Sequence, residues 1–138
     1  MTKVLYPKYG ELMQNSAHTS HLTADLRVGL LTNAYTYSAT HTKLSDVAGG
    51  ARVGLASSAL TSVTTTDGLL NAADYAFSSL SGSTVQRVVI YELDTGDVED
   101  SLLIYYMDED SSGSPMSTTP SGGTFTVSIG SGLFKVGG

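Results

Sequence analysis

At 138 residues, with a net charge of −6 and no cysteine, the chain is long enough for one domain with a real core and holds no disulfide or thiolate metal site. Its seven basic residues are scattered, which argues against the clustered Lys and Arg of a nucleic-acid surface. The longest apolar run, Leu102 to Met107, is far too short to cross a bilayer and the N-terminus has no apolar h-region, so a soluble protein made in a cytoplasm is expected.

In chain order, Pro7 to Gln14 is the best helix candidate. Pro7 suits a first helical position, and Leu5, Tyr9, Leu12 and Met13 fall at helical spacing on one narrow apolar stripe, with Gly10 weakening it. Asn15 to Thr23 is polar and loop-like, so residues 1–24 read as a helical and loop segment ahead of the main body. Asp25 to Leu31 reads as a strand with Leu26, Val28 and Leu30 on one face. Tyr35 and Tyr37 alternate with Thr36 and Ser38, which predicts a short half-exposed strand. A long loop follows over Thr40 to Gly50, then a strand over Arg52 to Leu60. Asp67-Gly68 between Ser62 to Thr66 and Leu69 to Phe77 predicts a hairpin.

The most committed stretch is Val85 to Met107. Val85 to Glu92 and Ser101 to Met107 are rich in β-branched and aromatic residues, and Asp94-Thr95-Gly96-Asp97 between them is a turn signal. In a strand, residues two apart share a face, so Leu102, Ile104 and Tyr106 are expected on one side and Leu103, Tyr105 and Met107 on the other. Both sides are apolar. The hairpin should therefore lie mid-sheet with both faces covered, the second by the N-terminal helix, by a neighbouring copy, or by both. Asp108 to Gly123 reads as an exposed loop, Thr124 to Ile129 as a strand bearing Phe125, Val127 and Ile129, and Leu133 to Val136 as a last short apolar piece. About eight short strands with one N-terminal helix predict an all-β single domain, a β-sandwich or jelly roll.

No motif for chemistry emerges. His18 and His21 lie in a Ser/Thr-rich loop, and His41 is the third and last histidine, so surface histidines are the simpler reading than metal ligands. Eight of the thirteen acidic residues fall between Glu92 and Asp110. Neither that cluster nor Asp108-Glu109-Asp110 has the spacing of a calcium loop. No serine has the Gly-x-Ser-x-Gly context, Glu92 beside Tyr91 is more simply a strand end than half of a carboxylate pair, and Gly130-Ser131-Gly132 lacks a third glycine. No catalytic residue, metal or cofactor is expected. Tyr35 and Tyr37, with Tyr91, Tyr105 and Tyr106, could make a sugar-stacking platform or fill and edge the core. The absence of tryptophan places the glycan reading second.

The order of several motifs resembles that of small structural proteins of tailed bacteriophages. It runs from Tyr6-Pro7-Lys8 through Leu26-Arg27-Val28-Gly29-Leu30-Leu31, Ala34-Tyr35-Thr36-Tyr37-Ser38-Ala39-Thr40-His41, Leu44-Ser45-Asp46-Val47 and Gly50-Ala51-Arg52-Val53. It continues through Thr66-Asp67-Gly68, Ala72-Ala73-Asp74, Val88-Val89-Ile90-Tyr91 and Leu103-Ile104-Tyr105 to Pro120-Ser121-Gly122-Gly123. The His18 to Thr23 loop and the acidic turn are longer than the pattern. The resemblance implies a capsid decoration, or cement, protein: a β-sandwich or jelly-roll subunit, made in the bacterial cytoplasm, that binds the outer surface of the major capsid protein lattice. It further implies a homotrimer, with a homodimer second, and neither nucleic acid nor membrane as partner. Leu5, Tyr9, Leu12, Met13, Leu133 and Phe134 are the expected oligomer or capsid contacts, because they are least embedded in the strand pattern. A tail or fibre component and a carbohydrate-binding module are the alternatives.

Overall fold

The computed structural model describes residues 3–8, 25–66, 69–94, 96–109, 114–130 and 133–137. These form an all-β architecture with every strand pair antiparallel. Strands β1 (Lys3–Leu5), β2 (Leu26–Leu31), β3 (Arg52–Leu55), β7 (Arg87–Glu92) and β8 (Leu102–Met107) make a five-stranded sheet in the order β1-β8-β7-β2-β3. Strands β6 (Tyr75–Phe77), β9 (Phe125–Gly130) and β10 (Leu133–Gly137) make a three-stranded sheet in the order β10-β9-β6, and β4 (Thr64–Thr66) pairs with β5 (Leu69–Asn71).

The Val85 to Met107 hairpin lies mid-sheet as expected, with β7 in the centre between β8 and β2. Val88, Val89, Ile90 and Tyr91 are all buried, as are Leu26, Val28, Leu30 and Leu31 of β2. Four consecutive buried residues require cover on both faces of the sheet. The predicted facing of β8 needs correction. Ile90 lies opposite Tyr105 and Tyr91 opposite Leu103, so Ile104 is an extra residue with no partner across the ladder. This β-bulge shifts the alternation. Leu103 and Tyr106 now share a face with Tyr91 and Val89, while Leu102, Tyr105 and Met107 share the other with Glu92, Ile90 and Val88. On the first of these faces Gly29 of β2 sits where a Cβ would lie 3.0 Å from Val89 Cγ2 and 3.2 Å from Leu55 Cδ2. A side chain at this position would make Val89 and Leu55 give way by a few tenths of an ångström.

Several other expectations are corrected. Residues 34–38 form no strand. They run in irregular backbone, and Tyr35 is buried by contacts distant in sequence. The Thr40 to Gly50 loop holds a 3-10 turn at Leu44–Asp46 and most of a second at Gly49–Ala51. It buries Leu44 and Val47. The Arg52 to Leu60 strand stops at Leu55, after which the Ala56 and Leu60 N–H groups still donate to the carbonyls of Val28 and Leu26. The expected hairpin forms with shorter arms, Thr64–Thr66 against Leu69–Asn71; its second arm does not run on to Phe77, because Tyr75–Phe77 pairs with β9 instead, and its Asp67-Gly68 turn lies outside the described residues. The exposed-loop reading of Asp108 to Gly123 fails at Met116 and Pro120, which are buried. Met116 N–H donates to Asp108 O, and Val85 and Thr118 exchange two backbone hydrogen bonds. Strand β1 was not expected at all. Pro7 and Lys8 do have helical backbone, and the rest of that predicted helix lies outside the described residues.

Candidate functional site

The outer edge of β8 has two partners end to end. Residues Lys3–Leu5 pair with Tyr105 to Met107, and Tyr6 N–H extends the pairing to Ile104 O. Lys43 then bridges Leu102, with Leu44 N–H donating to Ser101 O at 2.8 Å and Leu103 N–H donating to Thr42 O at 3.0 Å. This arrangement brings the end of β1 and the segment between β2 and β3 to the same side of the hairpin, where a cluster of aromatic side chains meets.

Its core is a chain of polar contacts. Tyr6 and Tyr35 hydroxyls lie 2.6 Å apart, and the Tyr35 hydroxyl lies 2.8 Å from His41 Nδ1. Tyr37 stacks on Tyr106 with ring centroids 5.0 Å apart and planes 17° from parallel, and Tyr6 meets Tyr37 edge-on at 5.3 Å. Tyr35 packs against Tyr106 at 5.9 Å, and the Tyr106 hydroxyl donates to Asp108 Oδ2 at 3.0 Å. Tyr6, Tyr35 and Tyr106 are buried, while Tyr37 and His41 are half-buried. Such pairs add stabilisation beyond the area they bury.

Burial governs the acid–base behaviour of these rings. It pushes the Tyr35 hydroxyl up to about 12, with the Tyr6 hydrogen bond pulling the other way. Burial likewise raises Tyr6, reinforced by its bond to Tyr35, and raises Tyr106 despite the opposing charge of Arg87. At neutral pH the cluster is therefore a set of neutral hydroxyl donors and acceptors and not a source of phenolate nucleophiles.

Two charged groups anchor the segment that carries Tyr35 and His41. The Asp46 carboxylate accepts the N–H groups of Thr42 and Lys43 at 2.8 and 3.1 Å, folding the first 3-10 turn. Burial pushes that carboxyl up, but these N–H donors and the charges of His41 and Lys43 outweigh it, so it titrates below the usual range. Arg52 reaches back from β3 to the carbonyls of Leu44 and Val47, both at 2.8 Å, and forks onto Glu99 at 2.6 and 2.8 Å. One guanidinium thus ties the segment to the Val98–Asp100 turn at the end of the hairpin loop.

The expected site residues are scattered. Leu5 lies in β1, Leu133 and Phe134 lie in β10, and Tyr9, Leu12, Met13, His18 and His21 lie outside the described residues. Tyr35, at 4% exposure, presents no ring face to a sugar, and Tyr37 has one face covered by Tyr106. Asp108 is engaged by Tyr106, and Asp110 lies outside the described residues. Among the described residues no group of three or more His, Asp or Glu side chains could hold a metal ion. Sequence reasoning missed the association of Tyr6, Tyr35 and His41. Tyr35 and His41 share one short segment and could have been paired from spacing, but Tyr6 is joined to them only by the pairing of β1 with β8. Comparison with protein-family models, curated proteins and solved structures yields no match.

Proposed function

We propose that this chain is a non-enzymatic virion protein of a tailed bacteriophage that decorates the outer face of the capsid lattice and stabilises it. The reading rests first on the motif order described above. The structural observation that supports it is the placement of β1 and β10, each the outermost described strand of its sheet. Edge strands are where a second chain can add to a sheet, and these two carry Leu5, Leu133 and Phe134 of the expected contact set. The same reading takes the two larger sheets as layers of a sandwich of jelly-roll type. In its favour, a Cβ on Gly54 of β3 would lie 3.2 Å from Leu80 Cδ1 and 3.9 Å from Phe77 Cε2, beside the three-stranded sheet.

The mechanism is mass action: a subunit that binds the assembled lattice and not its separated parts stabilises the assembly, and a trimer multiplies weak single contacts. Cosedimentation of the purified chain with expanded capsids stripped of accessory proteins tests it. Saturable binding that raises the temperature of capsid disassembly supports the reading. A particle map that places the chain on the tail would replace it with a tail component.

A further inference from the structure

We infer that the segment from residue 33 to 47 is a pH-operated cover, latched over the Tyr106 side of the sheet by the hydrogen-bond chain Tyr6–Tyr35–His41 and released when His41 takes up a proton. The hydrogens along this chain of bonds decide the matter, whatever the role of the protein on a capsid. Among the described residues the Tyr6 hydroxyl bonds Tyr35 alone, and it is buried. Both hydroxyl hydrogens are satisfied only if Tyr6 donates to Tyr35 and Tyr35 donates to His41 Nδ1. That direction requires neutral histidine with its hydrogen on Nε2. In imidazolium both ring nitrogens are donors. His41 Nδ1–H would then have to donate to Tyr35, which leaves three hydrogens for two contacts, so the hydrogen of either Tyr35 or Tyr6 would be left without an acceptor along this chain of bonds. The charged ring is therefore mismatched to its latch.

The surrounding charges give that ring another place to go. Asp46, on the same segment, is close enough for its carboxyl to sense the His41 charge. Lys43 is drawn to Asp100 at 3.3 Å on the neighbouring turn. From the strands packed beneath come Tyr106 with Asp108 on β8 and its end, and Arg87 on β7, whose charge acts on Tyr106. Protonated His41 thus exchanges a hydroxyl that cannot serve it for a carboxylate that can. Tyr35 loses the acceptor for its hydrogen, and the cover loosens at the points where it joins β8.

The full-length chain tests this directly. With eight tyrosines and no tryptophan, near-UV circular dichroism reports on the tyrosine packing. Acidification from pH 8 to pH 5, across the ordinary histidine range, should give a one-proton change in that signal. Exchange of the Leu44 and Leu103 amides, corrected for intrinsic rate, should speed up about tenfold relative to Val89 in the core. His41→Gln keeps an acceptor for Tyr35 but carries no charge, and both responses should vanish. Tyr35→Phe keeps the ring and removes the latch, so the tyrosine signal should no longer follow His41 titration observed by NMR. If His41→Gln fails to fold, Tyr35→Phe decides alone. A response that survives these substitutions, no response in the parent chain, or equal acceleration at Val89 would overturn the inference.

Discussion

The β7–β8 hairpin and the segment between β2 and β3 lie against each other and are both buried, yet they solve the same problem by different means. The hairpin satisfies its backbone in the ladders with β2 and β1, so its side chains are left to pack: Val88, Val89, Ile90, Leu103 and Ile104 contribute no polar atoms at all. The segment buries Tyr35, Leu44, Val47 and Ala51 in irregular backbone. There a few backbone bonds to β8 and within the 3-10 turns are completed by side chains, with Asp46 taking two N–H groups and Arg52 two carbonyls. Buried backbone must be paired one way or the other. Regular structure makes that pairing independent of residue identity, whereas irregular structure makes it depend on a few named residues.

The contrast can be broken first in the hairpin. Ile104→Ala should cost about 2–5 kcal/mol in chemical denaturation, because it opens a cavity beneath a bulge already committed to packing. A variant that unfolds at the parent's denaturant concentration would show that the bulge, and not the ladder around it, absorbs the change.

Alkali should act on both regions through their buried tyrosines. Burial pushes Tyr35 in the segment and Tyr91 in the hairpin up to about 12, above the ordinary value of about 10. Because the folded state holds these protons more tightly, the associated stability is complete below about pH 10 and is lost as pH rises through about 12. Thermal melts across that window should fall steeply, and a flat profile would contradict the burial of both rings.

Arg52→Ala should cost about 1.5–3 kcal/mol through the loss of charged hydrogen bonds to Leu44 and Val47. Glu99→Gln should cost much less, since Arg52 is 16% exposed and its partner 43%. Equal effects in thermal melts would mean that the ion pair, and not the two carbonyls, fixes the segment. Tyr6→Phe should be the mildest in thermal melts, about 1 kcal/mol for one hydroxyl bond.

The same division explains what could be read in advance. Val88-Val89-Ile90-Tyr91 and Leu26 to Leu31 announce strands because apolar, β-branched-rich runs of this length carry their structure locally. Tyr35 and Tyr37 alternate with polar residues and so mimic a strand, but their burial comes from Tyr6 and Tyr106, which local spacing does not reveal. Met116 and Pro120 sit in a Ser/Thr/Pro/Gly text whose turn-forming composition says nothing about what lies underneath. The bulge at Ile104 leaves no mark in an apolar run, since every residue there suits either face. Lys3 to Leu5 is too short to declare itself, and its partner, Tyr105 to Met107, is far away in the sequence.

That last pairing has a consequence for how the molecule is made. In the growing chain, residues 3–6 emerge long before Ile104 to Met107 exist to receive them, while residues 42–44 wait for Ser101 to Leu103 in the same way. Closure of the β8 edge is therefore a late, high-contact-order event. Until then the future first strand is an unclaimed β-forming segment open to the wrong partner. The yield of correctly closed chains therefore depends on how long that segment waits as well as on final stability.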